Sequence, residues 1–297
     1  MTTNRRTFLK TGTLALAGVP ILSLKLRANK PLSHIGLQLY SLRDDMSKDP
    51  RGTIKAVAKA GYKEVEHAGY GAGKFYGLTP TDFKQLLADN GLTMPSGHTA
   101  LLPKHVDSQG NFTDEWKKTV DDAAILGQKY VISPWIDISL RKSADSLKRV
   151  TDLFNRAGEL CQRSGMKFGY HNHDFEMDQV DGQVIYDILL SNTDPKLVTM
   201  EMDVGWVTAP GGDPVYWFKK YPGRFGLLHM RDIVRTTGAH KFTSVVLGDG
   251  VVKFDEILKN HKLAGTKYFI VEQEEYGKNT ALEAVTLNYG RISRMKG

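Results

Sequence analysis

The chain has 297 residues, one cysteine and a formal charge of +7, long enough for one large domain with a substantial core and unable to form an internal disulfide. Arg5, Arg6, Lys10, Lys25, Arg27 and Lys30 all lie in the first thirty positions, which contain no acid, so removing those six charges leaves +1 for the rest. A nearly neutral body excludes sustained phosphate-backbone binding as the main activity, and no nucleic-acid partner is expected.

In chain order, Asn4–Lys10 reads NRRTFLK and precedes a weakly apolar segment, Thr11–Leu26, interrupted by Gly12, Gly18 and Pro20. The pattern resembles a twin-arginine export signal, and the segment is too short and too broken for a membrane span. Residues 1–30 are therefore expected to lie outside the fold. The protein is expected to be periplasmic or otherwise exported, with no stable membrane span after signal removal.

From His34 onward short apolar runs alternate with amphipathic segments, the pattern of repeated strand–helix units. The strands are expected at Ile35–Leu42, Lys63–His67, Thr93–His98, Tyr130–Trp135, Lys167–His171, Val198–Asp203, Phe225–Met230 and Tyr268–Glu272. Helices are expected at Gly52–Lys59, Thr81–Asp89, Asp114–Leu126, Ala144–Arg163, Val184–Leu190, Pro214–Tyr221, Phe254–His261 and Thr280–Arg294, each with apolar residues at three-to-four spacing. Gly61, Gly91, Gly127, Gly165 and Gly265 each stand between a helix and the next strand, where a left-handed residue commonly ends a helix. Eight parallel units predict an α/β fold, a single-domain (β/α)8 barrel over residues 31–297.

Functional groups of such barrels sit where strands pass into the following loops. Those positions hold Glu66 and His67, His98, Trp135, His171 with His173, Glu201 with Asp203, His229, and Glu272. Each alone reads as a satisfied polar residue; together they converge on one mouth. The stretch Met166–Glu176, MKFGYHNHDFE, is the densest, with His171 and His173 on one strand face and Glu176 just beyond. The connection Arg231–Lys253, carrying Arg235, His240, Lys241 and the turn GDG at 248–250, is expected to overhang the mouth.

IGLQLYSLR at Ile35–Arg43, YHNHDFE at Tyr170–Glu176, MEMDVGW at Met200–Trp206, GRFGLLHMRD at Gly223–Asp232, GDG with FDEI downstream, and VEQEEY at Val271–Tyr276 occur in that order. The series resembles the sugar phosphate isomerase/epimerase group of xylose-isomerase-like TIM barrels. The resemblance implies one divalent metal, Mn, Mg, Co or Zn, held at the ends of the fifth to eighth strands. Asp203, His229 and Glu272 match the last three ligands. Many relatives have a glutamate two residues before a histidine on the fifth strand, where this chain has His171 before His173; either His171 ligates directly or Glu176 takes the carboxylate role. Trp206 stands where an endonuclease branch has a zinc-binding histidine, which counts against DNA repair.

The resemblance further implies a small carbohydrate substrate, with a metal-stabilised enediolate formed when a C–H proton beside a carbonyl is removed. His173, Glu176 and Glu272 are the candidate bases. Tyr40, Trp135 and Trp206 are candidate platforms for a sugar ring, while Glu66, His98, Arg231 and Lys241 are candidates for orienting hydroxyls. Returning the proton makes an isomerase or epimerase, the leading expectation. Expelling a β-leaving group makes a lyase or dehydratase of keto-glycosides or keto-cyclitols, and an exported non-catalytic sugar-binding protein is the alternative of another class. A homodimer is a reasonable expectation for such a barrel.

Overall fold

The computed structural model describes residues 31–237 and 241–297. The export-signal reading of residues 1–30 and the reading of His240 lie outside the described residues. Eight strands form a closed parallel barrel in sequential order: β1 Ile35–Gln38, β2 Glu64–His67, β3 Thr93–His98, β4 Tyr130–Ser133, β5 Lys167–His171, β6 Val198–Asp203, β7 Phe225–Met230 and β8 Tyr268–Val271. The helices that follow them are α1 Pro50–Ala60, α2 Pro80–Asp89, α3 Asp114–Leu126, α4 Ala144–Arg163, α5 Ile185–Ser191, α6 Pro214–Lys220, α7 Phe254–Ala264 and α8 Ala281–Ile292.

Local chemistry fixes the helix ends. The Thr79 and Ser143 side chains accept hydrogen bonds from Asp82 N and Ser146 N at the starts of α2 and α4, and Thr280 with Glu283 forms a reciprocal capping box on α8. Gly127, at φ 82°, closes α3 in the left-handed conformation expected there.

Alternation along the strands separates two packing regions. On β5, Phe168 and Tyr170 turn outward onto Phe154 of α4, with ring centroids 5.1 and 5.3 Å apart. Tyr130, Ile132, Leu227 and Ile270 form a separate apolar cluster. Gly36 and Gly169 make room for it: a Cβ would stand 2.6 Å from Ile270 Cδ1 at the first and 2.4 Å from Ile132 Cδ1 at the second. Towards the strand C-termini the barrel interior becomes polar, where Glu201 pairs in register with His171 and Asp203 with His229.

Three strands end earlier at the mouth than their sequence pattern predicts, β8 only by the single residue Glu272. The Gln38 side chain accepts the Tyr40 amide at 3.0 Å, and the chain turns into a short 3-10 helix, Leu39–Leu42, instead of extending. Likewise β4 stops at Ser133, whose hydroxyl donates to Trp135 O at 3.2 Å, so Trp135 belongs to the loop.

Candidate active site

At the C-terminal end of the barrel, a cavity of about 850 Å³ is lined by Tyr40, His98, Trp135, His171, His173, Arg231, Glu272 and Glu274, among others. Beneath it His171, Asp203, His229 and Glu272 bring one ligand atom each to within 4.8 Å of one another, and all four side chains are buried. His171 ends β5, Asp203 ends β6, His229 is the penultimate residue of β7, and Glu272 follows β8. Strand order around a closed barrel thus converts distant sequence positions into one cluster.

Arg231 organises the carboxylates of this cluster. Its Nε donates to Asp203 Oδ2 at 2.7 Å, while the other guanidinium nitrogens lie 2.7 Å from Glu272 and 2.8 Å from Glu274. Asp203 Oδ1 accepts the Trp206 amide at 2.9 Å, capping the short helix Val204–Thr208. Burial opposes ionisation of Glu272, but Arg231 and then His229 outweigh it and hold its pKa at about 2. Burial, with a smaller push from the charge of Glu272, raises Asp203 above its ordinary value, while Arg231 and His229 act in the opposite sense.

A second polar layer lies below. His229 points Nδ1 at Glu272, 2.8 Å away, and Nε2 at Glu66, 2.7 Å away. His98 Nε2 is 2.6 Å from Glu201 and 3.1 Å from Glu66. Gln38 Nε2 donates to the same Glu66 oxygen at 2.8 Å. Burial works against charging His98 and His229, yet the carboxylates prevail, raising His98 to about 10 and His229 well above its ordinary value.

His173 reaches into the cavity from the loop after β5, its ring edge-on to Trp135 at 5.5 Å and tilted against Trp206 at 6.0 Å. Its Nδ1 is buried without a hydrogen-bond partner. Burial, followed by the charge of Arg231, lowers its pKa to about 4, so the imidazole is neutral near pH 7. Trp135 and Tyr40, each 41% exposed, stand at the rim, and the Arg141 guanidinium lies 3.9 Å from the Trp135 ring centroid and 3.4 Å from that of Phe175.

Three sequence expectations are corrected. Glu176 is absent from the ligand cluster: its carboxylate takes the Tyr170 hydroxyl and the His173 amide, the latter at 2.8 Å, on the outward side of β5. Tyr170 alternates with His171, so a carboxylate bound to it lies away from the interior, and Glu176 is neither placed as a ligand nor open to the cavity as a base. Lys241 is exposed beside the hairpin formed by Asp232–Arg235 and Phe242–Val245, and it does not line the cavity. Trp206 packs behind the mouth against His173, with Arg231 5.1 Å from its ring centroid, and does not line the cavity.

Glu66 is brought to the site, but beneath the histidines. Glu201, read in the sequence as one of the strand-end groups, lies in this lower layer with it, while Gln38 and Glu274 carry part of the site without having been singled out for it. Glu201 and Glu274 stand two residues from Asp203 and Glu272, and that period-2 spacing is the signal that points to them. The chain after β7 is held down by Asp232, which accepts hydrogen bonds from the amides of Gly248 at 2.8 Å, Gly250 at 2.9 Å and Val252 at 3.1 Å.

The barrel accords with the likeness to known proteins. The chain belongs to the xylose isomerase-like TIM barrel family, whose pattern matches residues 54–287. It is 31% identical to a sugar phosphate isomerase/epimerase from Parabacteroides distasonis, covering 93% of this chain and 98% of that one with a TM-score of 0.74. Inosose dehydratase 2 of Bacillus cereus is 30% identical over 169 residues, which span 50% of this chain and 55% of the relative; the chain thus matches about half the length of that enzyme. The zinc-bound IolI protein shares the fold at a TM-score of 0.66 and 14% identity, over 87% of this chain and 96% of that one.

Proposed function

We propose that the protein is a divalent-metal-dependent lyase or dehydratase that removes the proton beside a ketone on a carbohydrate or cyclitol ring and expels a β-leaving group. The observation that carries this reading is His173, a neutral imidazole with an unpartnered Nδ1, opening on the cavity beside His171 and Glu272. The residues suit a divalent ion: two imidazoles and two carboxylates converge within 4.8 Å, and His171 Nδ1 is buried with no hydrogen-bond partner. This mixed nitrogen and oxygen set suits Zn²⁺, Co²⁺ or Mn²⁺ better than an all-oxygen site would. When bound, the ion supplies a Lewis acid that polarises the ketone and acidifies the adjacent C–H bond.

The chain's own residues do the rest. Arg231 holds Asp203 and Glu272 in fixed positions through two 2.7 Å contacts. Trp135 and Tyr40 offer ring faces to the substrate, and His173 accepts the proton and returns it to the departing oxygen. A syn elimination, with proton and leaving group on one face, needs one mobile acid–base group, whereas epimerisation returns a proton from the opposite face and requires a second. Glu272 is tied to His229 and Arg231, which favours elimination, as does the likeness to inosose dehydratases. An isomerase or epimerase is the second reading, favoured by the Parabacteroides relative over nearly the whole chain.

The two readings separate in one assay. A lyase releases the leaving group from a keto-glycoside or water from a keto-cyclitol, while the unoxidised ring is untouched. An isomerase instead yields a rearranged sugar of the same formula. Rearrangement without release in a broad panel would replace the first reading by the second.

A further inference from the structure

We propose that the substrate carries a second, hydroxylated ring as its leaving group, and that this ring sits in an arm of the cavity between the hairpin after β2 and the start of α3. The inference rests on the proposed elimination and narrows its substrate from ring ketones in general to a keto-glycoside with a sugar-like aglycone. The cavity of about 850 Å³ runs without a break from Glu272 and His173 to Tyr70, Leu102, His105 and Thr119. Its two ends stand on opposite sides of the mouth: Asp203 and His229 come from β6 and β7, and β2 and β3, which lead into the arm, lie four places round the closed barrel from them. The volume is near the top of the roughly 300–1,000 Å³ of sites that enclose drug-sized ligands, so a single sugar ring at the cluster leaves the arm unfilled.

The arm is firmly built. Tyr70 lines it, with its ring packed on Phe75 at 4.7 Å and its hydroxyl donating to Asp122 Oδ2 at 2.7 Å. Asp122 is 2% exposed and also accepts from Lys118 Nζ at 2.8 Å. A ring fixed in this way is a platform for the apolar face of a sugar. His105 supplies a donor. The Leu102 amide donates to its Nδ1 at 3.1 Å, which fixes the neutral tautomer with the hydrogen on Nε2. That Nε2 is 3.6 Å from Glu115, beyond hydrogen-bond length, and is left for a ligand hydroxyl.

Charge points to a neutral ligand. Lys104 pairs with Glu115 at 2.7 Å and Lys118 with Asp122 at 2.8 Å, so the cations of the arm are matched by its own carboxylates and none is reserved for an anion. In the elimination, His173 takes the proton from carbon and the C–H electron pair becomes the new double bond. The C–O bond to the second ring breaks, and that ring departs as an alcohol carrying the proton from His173.

The test compares keto-disaccharides with the methyl glycoside of the same keto-sugar on the full metal-loaded chain, and in parallel measures by calorimetry the binding of the unoxidised disaccharides and methyl glycoside. The second ring should raise both kcat/KM and affinity by about tenfold or more, the worth of one hydrogen bond with its ring contact. In Tyr70→Ala and in His105→Ala that preference should fall towards parity. Thermal melts check the fold of each variant, and should either fail to fold, the comparison in the parent protein decides. Equal handling of disaccharide and methyl glycoside by the parent, or a preference that survives both variants, overturns the arm and leaves the proposed reaction standing. No release from any ketone, with the binding preference intact and lost in the variants, removes the reaction and supports the arm as the site of a second ring.

Discussion

Replacing Glu176 tests whether a carboxylate next to the YHNH stretch serves chemistry or structure. Its two oxygens hold the Tyr170 hydroxyl and the His173 amide, and burial raises its pKa from an ordinary 4.5 to about 8. Because the folded-state value is the higher one, the folded protein binds more protons than the unfolded chain between pH 4.5 and about 8. The contribution of this group to stability is therefore full at the acidic end and falls as pH rises, by at most about 1.4 kcal/mol per unit. Glu176→Gln mimics the neutral acid, supplying an acceptor for the amide and a donor to the tyrosine. It should abolish that slope, so that its stability relative to the parent improves steadily from pH 5 to 8, with bound metal unchanged. Glu176→Ala, leaving two buried groups unpaired, should cost about 1–3 kcal/mol for each. Urea unfolding across that pH range with parallel metal analysis provides the measurement. Loss of metal in a folded Glu176→Gln would show that the carboxylate ligates and that its outward placement is wrong.

Asp203→Asn or His229→Ala should weaken binding at the metal site by at least the 10–100-fold typical of changes around metal ligands, measured by chelator competition. Asp232→Ala should destabilise the protein by about 3 kcal/mol or more in urea unfolding, because the amides of Gly248, Gly250 and Val252 lose a charged acceptor. Gly250→Ala should also destabilise, since its Cβ would meet Asp232 Oδ1 at 2.2 Å and Ile233 O at 2.4 Å. For Met1–Lys30 we propose export: Arg5→Lys with Arg6→Lys should retain the protein in the cytoplasm, and N-terminal sequencing of exported protein should begin near Ala28.

The barrel was legible because its evidence is repetitive: β3, β5, β6 and β7 coincide with their apolar runs, and α3 and α4 with their amphipathic spans. Asp203, His229 and Glu272 stand together because strand ends determine which residues share the mouth. What local pattern could not convey was depth and direction. Glu66 and Glu201 look like further mouth residues in the sequence, yet His98 and His229 lie over them, a stacking created by register between neighbouring strands. Glu176 looked close to His173 along the chain, but the turn at Phe175–Met177 carries it behind the strand to Tyr170. Tyr40 and Trp135 sit beyond strands that end early, where side chains such as Gln38 and Ser133 bond the departing backbone.

The central claim is proton removal beside a ketone by His173 with the help of a metal held at the mouth. Its most direct test is turnover of a keto-glycoside and keto-cyclitol panel in D₂O by the metal-loaded protein and by His173→Ala. The account predicts release of the leaving group by the parent, loss of that activity on metal removal, and a decrease of about 10²–10⁴-fold in His173→Ala with its metal retained. Neither release nor deuterium exchange, together with tight binding of the same sugars, would contradict it and make the protein a carbohydrate-binding barrel.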